Sequence, residues 1–120
     1  MLEELNFYDR IIYVLRNFIE YGNYNKEPKK AIKVIHKYFP EKTIEECTTA
    51  FNSCLSAYQD AIVFVGENKD QYWKAEENRK NNLPPQKITA ELNFVKKHKD
   101  VPEATIKHII GWVLNWHHER

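Results

Sequence analysis

The run TIEECTTAFNSCLSAYQDAIVFVG, residues 43–66, decides the fold. It opens on Thr43-Ile44-Glu45-Glu46, a capping box in which the Thr hydroxyl accepts one free backbone amide and Glu46 reaches back to another. Ile44, Cys47, Phe51, Cys54, Tyr58, Ile62 and Val65 then recur at three- and four-residue steps. That is the period of one helix face. Leu55 and Ala61 flank the face, and Gly66 is the expected stop. The pattern predicts a helix of about six turns.

The same period recurs on both sides of this run. Leu5, Tyr8, Ile12, Leu15 and Ile19 form one face, widened by Ile11, Val14 and Phe18, and Gly22 ends it. A second helix is expected from Pro28, with Ala31, Ile32, Val34, Ile35, Tyr38 and Phe39 apolar and Pro40 as its stop. Ile88, Leu92 and Val95 predict a short helix ending near His98. Asp100-Val101-Pro102-Glu103 predicts a capped start for a last helix carrying Ile106, Ile109, Ile110, Trp112, Val113, Leu114 and Trp116. Its apolar arc covers about 200° of the wheel, which implies neighbours on two sides.

Asp70 to Asn82 is the ambiguous stretch. Asp70 is a possible cap and Glu76–Lys80 a favourable ion pair, but Glu76 to Asn82 is uniformly polar. Asn81-Asn82-Leu83-Pro84-Pro85 is the strongest breaker in the chain. No segment alternates with the period of a strand. The expectation is an all-α, compact single-domain bundle of five to six helices over residues 1–120.

Charge and composition narrow the chemistry. Among 120 residues, 18 Lys and Arg face 17 Asp and Glu. The basic excess of a duplex-binding domain is missing. No apolar run approaches the ~20 residues of a membrane span. The start, Met1-Leu2-Glu3-Glu4-Leu5, has no basic secretory leader pattern. Cys47 and Cys54, roughly 10 Å apart along one helix, are too distant to bridge and suit a reducing compartment. The expected location is cytoplasmic.

Searches for catalytic patterns return little. Glycines occur only at 22, 66 and 111, so no phosphate loop or Gly-x-Ser-x-Gly elbow can form. His36, His98, His108, His117 and His118 include no pair four residues apart, the spacing of a helical zinc site. Cys47 and Cys54 read as buried thiols, although the dipole at the start of its helix could lower the Cys47 pKa. Glu45-Glu46 and Glu76-Glu77 read as surface carboxylates. No catalytic residue, cofactor or metal is expected.

Two features remain. Residues 25–42 hold six lysines and two acids, a local charge of +4, whereas residues 43–70 hold five acids and one lysine, −4. Lys29, Lys30, Lys33 and Lys37 form a basic strip suited to a phosphate backbone or an acidic partner. The second feature is a surplus of aromatics, 16 in all. Tyr21, Tyr24, Tyr72 and Trp73 fall off the apolar faces and, with Lys74, form a candidate partner-binding edge. The expected function is a non-catalytic protein–protein interaction domain, such as an immunity protein, antitoxin or inhibitor. The alternatives are a nucleic-acid-associated module using the lysine strip, and a ligand or enzyme pocket inside the bundle lined by Tyr, His or Cys.

Overall fold

The computed structural model describes residues 2–84 and 88–118, without the side chains of residues 2, 3, 24, 25 and 116–118. Its helices are α1 (Leu2–Glu20), α2 (Pro28–Tyr38), α3 (Ile44–Glu67), α4 (Lys69–Lys80), α5 (Thr89–Lys97) and α6 (Glu103–His118), with a 3-10 turn over Asn23–Lys26. No strand occurs among the described residues. The all-α bundle expected from the periodicity is the observed architecture.

Local chemistry sets the helix ends. At α3, the Glu46 amide donates to Thr43 Oγ1 and the Thr43 amide to Glu46 Oε1, both at 3.0 Å, completing the capping box. Gly22 follows α1 at φ +63°, a left-handed conformation that a Cβ would strain. The end of α4 is a Schellman turn. Asn82 takes φ 57°, the Leu83 amide donates to Asn78 O at 2.8 Å, and the Asn82 amide donates to Arg79 O at 3.3 Å. The Asn-Asn-Leu-Pro breaker therefore stops a real helix.

Gly66 does not end α3, as the sequence suggested, and Asp70 does not cap α4. Asn68 serves both helices. Its side-chain amide donates to Phe64 O at 2.9 Å, and its carbonyl oxygen accepts from Gln71 Nε2 at 3.4 Å. A short polar side chain can satisfy groups on either side of a break in this way.

The core sits on α3, which packs against α1, α2 and α6. Its buried residues are Cys47, Ala50, Phe51, Cys54, Ala57, Ala61 and Val65. Ile44 and Ile62, expected inside, are exposed. Small side chains at alternating three- and four-residue steps hold the contact face, so neighbouring helices can approach closely. Around them close Phe7, Ile11, Ile12, Val14 and Leu15 of α1, Ile32 and Ile35 of α2, and Ile106, Ile109, Ile110, Trp112 and Val113 of α6. The two-sided packing expected for α6 is met by α3 and α1. On α5 the buried residue is Phe94, while Leu92 points to solvent.

One polar knot locks three helices together. Trp112 Nε1 donates to Glu20 Oε1 at 2.6 Å, and the Trp112 ring stacks on Tyr58 at 4.3 Å. The Arg16 guanidinium lies 3.8 Å from Glu20 and 5.3 Å from the indole centroid. A carboxylate in the last turn of α1 opposes the helix dipole. The indole N–H and the guanidinium offset that repulsion.

In contrast, α4 buries no residue. It is held at its start, where Tyr72 packs edge-on against Phe64 at 6.1 Å and donates to Glu91 Oε1 at 2.9 Å. The radius of gyration, 15.6 Å, exceeds the roughly 13.6 Å of a compact chain this long, in keeping with extents of 46 × 31 × 22 Å.

Candidate functional site

A broad depression runs along the N-terminal half of α1. The corner between α2 and α3 closes its other side. Phe7, Tyr8 and Phe39 line its floor, and Glu4, Glu41, Glu45 and Glu46 its rim, around about 1020 Å³. A second depression of about 580 Å³ adds Asp9, Arg10 and Tyr13. Asn6 and Phe39 line both, so the two form one trough.

Packing orders the floor. Phe7, almost fully buried, meets Phe39 edge-on at 5.2 Å and Tyr8 at 5.4 Å. The Tyr8 hydroxyl donates to Asp100 O at 3.3 Å, and burial raises its pKa. At the far end, the Arg10 guanidinium lies 4.0 Å from the Tyr38 ring centroid and 5.4 Å from that of Tyr13. Both rings are more than half exposed, 56% and 59%. The guanidinium contact is attractive and still leaves most of each tyrosine open to solvent.

The charges are unevenly committed. Lys42 Nζ sits 4.9 Å over the Phe7 ring and Arg10 over Tyr38, so both cations are turned toward aromatic faces. Glu46 belongs to the cap; the Thr43 amide holds its carboxyl below the ordinary value. Glu4, Asp9, Glu41 and Glu45 are exposed and outside any described ion pair. The trough therefore presents negative charge over an aromatic floor.

The residues singled out from the sequence lie elsewhere. Tyr21 is exposed at the end of α1, 71%. The side chain of Tyr24 lies outside the described residues. Tyr72 is turned inward onto Phe64 and Glu91; burial first, then the Glu91 charge, raises its pKa. Trp73 is half-buried and Lys74 exposed. The described contacts of Tyr72 do not reach Tyr21. Lys29, Lys30, Lys33 and Lys37 are all exposed and fall within about 100° of the α2 wheel, opposite Ala31, Ile32 and Ile35. Of the four, only Lys30 has a described ion pair, with Glu27 at 3.6 Å.

Sequence reasoning missed Tyr13 and Arg10, and placed Tyr38 on a buried face. A readable signal existed: Tyr13 lies off the apolar face of α1, and Arg10, three residues earlier, shares its side.

The two thiols are inert by environment. Both are free and fully buried. Burial pushes Cys54 up to about 12 from 9.0. It also raises Cys47, with the Glu46 charge adding to it. The dipole-lowered Cys47 is not found. Neither cysteine lines the trough.

A pH dependence follows. The fold favours the protonated Cys54 thiol, so this contribution is complete below pH 9 and is lost as pH rises toward 12. Urea unfolding should show wild type losing about 2 kcal/mol more than Cys54→Ala between pH 8 and 10.5. Equal losses in the two proteins would contradict the burial argument.

At the other side of α3, His98 Nε2 and Lys97 Nζ approach Asp60 Oδ2 at 2.9 and 3.3 Å, tying α5 to α3. The His98 contact is close but outside hydrogen-bond alignment. Among the described residues, no group of three or more His, Cys, Asp or Glu is arranged to hold a metal ion, and no helix is long and apolar enough to cross a membrane. Comparison with protein-family models, curated proteins and solved structures finds no match to this chain.

Proposed function

We propose that the chain is a non-catalytic protein-interaction domain, a small cytoplasmic binding protein of the immunity, antitoxin or inhibitor kind. The observation that carries this reading is Arg10 held against the open rings of Tyr13 and Tyr38 at the end of the trough. Tyr and Arg are the residues that concentrate binding energy at interfaces, and here their geometry is set before any partner arrives. The trough is broad and open to solvent, which suits a protein surface better than an engulfed metabolite.

The test is capture from a nuclease-treated extract of the source cells on immobilised wild type, Tyr38→Ala and Trp73→Ala. Wild type should retain a stoichiometric protein, and Tyr38→Ala should lose it by roughly tenfold or more in affinity while staying folded by circular dichroism. Loss on Trp73→Ala with retention on Tyr38→Ala would move the contact to the Tyr72-Trp73-Lys74 edge.

A second reading has its own support in the single-faced exposure of Lys29, Lys30, Lys33 and Lys37. A nucleic-acid backbone laid along α2 would bind with steep salt dependence. Recovery of nucleic acid before nuclease treatment, abolished by Lys33→Glu with Lys37→Glu, would favour it over the trough.

A further inference from the structure

We propose that the trough receives a basic segment of the partner protein, with lysine or arginine side chains against the rim and an apolar side chain on the Phe7–Phe39 floor. This rests on the protein-interaction reading and specifies its chemistry.

Sign decides against an anionic occupant. A helix N-terminus ordinarily attracts anions. Here the capping box takes up the Thr43 and Glu46 amides and already sets the Glu46 carboxylate at that end. Glu41 and Glu45 then surround that end with negative charge. Two cations reach this surface: Lys42, over the Phe7 ring, partly offsets Glu46, and Arg10 lies over Tyr38. Glu4, Asp9, Glu41 and Glu45 are left to be matched from outside.

The floor suits the same occupant. The alkyl stem of a lysine or arginine packs on aromatic surface while its head stays at the polar edge. A leucine-sized residue between two such cations would cover Phe39, which the chain leaves half-buried. Length agrees as well. Glu4 to Tyr13 spans about 13 Å along α1, close to four residues of extended chain at roughly 3.3 Å each. Association driven by opposite charge would be fast and salt-sensitive, with the aromatic floor holding the complex once formed.

The test uses a defined probe, a fluorescein-labelled decapeptide of alternating lysine and leucine, read by fluorescence anisotropy against the folded full chain. A matched glutamate–leucine peptide serves as the anionic probe. The lysine peptide should bind at least tenfold more tightly than the glutamate peptide. Its affinity should fall at least tenfold in Glu4→Lys with Glu45→Lys. Glu67→Lys with Glu103→Lys, an equal change of net charge away from the trough, should leave it within twofold. Equal binding of both peptides would overturn the proposal. So would equal loss in the two charge-reversed proteins, which would mean net attraction rather than a site. If the captured partner is lost on Tyr38→Ala but kept on Glu4→Lys with Glu45→Lys, the interaction reading stands and the basic segment falls. If neither substitution matters, both fall.

Discussion

Trp112→Ala is expected to destabilise the fold by about 3–5 kcal/mol. The indole is 4% exposed and touches all three long helices: it stacks on Tyr58 of α3 and donates to Glu20 of α1 from its place on α6. Truncation leaves a cavity where those helices meet and removes the donor that holds Glu20. Against a typical total of about 5–15 kcal/mol, that is about a fifth of the stability at the least. Trp112→Phe separates the two effects. It keeps most of the ring packing and loses the N–H, so it should cost about 1–2 kcal/mol. Urea titrations of both variants check this through the shift in midpoint at constant slope. A loss below about 1 kcal/mol for Trp112→Ala would mean that the junction is not a keystone.

Ala57→Leu should cost about 2–3 kcal/mol, although it adds apolar atoms to a helix. Ala57 is fully buried in the small-residue face of α3. At a fully buried position the added branch crowds the neighbouring helix. Ser56→Leu, one position away and exposed, controls for propensity and should change stability by less than about 0.5 kcal/mol. If Ala57→Leu matches Ser56→Leu, the helices on α3 are not in close contact there.

These two positions mark where sequence reading succeeded and where it stopped. Trp112 was legible because a wide apolar arc on a helix implies a two-sided neighbour. The capping box at Thr43 and the breaker that begins at Asn81 were legible because they depend only on local chemistry. Ala50 and Ala57 were not, because alanine is common on every helix face, and Ala61 was legible only as a flank. Hydropathy placed Ile44 and Ile62 inside instead; close helix approach selects for small volume rather than for apolarity. On α5 the same weakness favoured Leu92 over Phe94.

The trough was not legible for a different reason. Its rim joins Glu4 to Glu45 and its tyrosine pair joins Tyr13 to Tyr38, across turns that set their approach only after the helices dock. The surplus of aromatics pointed to Tyr21, Tyr24, Tyr72 and Trp73, and of these the Tyr72 ring seals the joint between α3, α4 and α5.

That joint gives the molecule two separate thresholds for coming apart. The helix after Asn68 has no fully buried residue, with Tyr72 and Trp73 half-buried near its start, and Tyr72 donates a hydrogen bond to Glu91 of α5. Its opening is expected to cost less free energy than loosening α3, which breaks the whole core. A protease or a chaperone would therefore meet α4 as an accessible handle while the trough, built on α1 and the start of α3, stayed fully assembled.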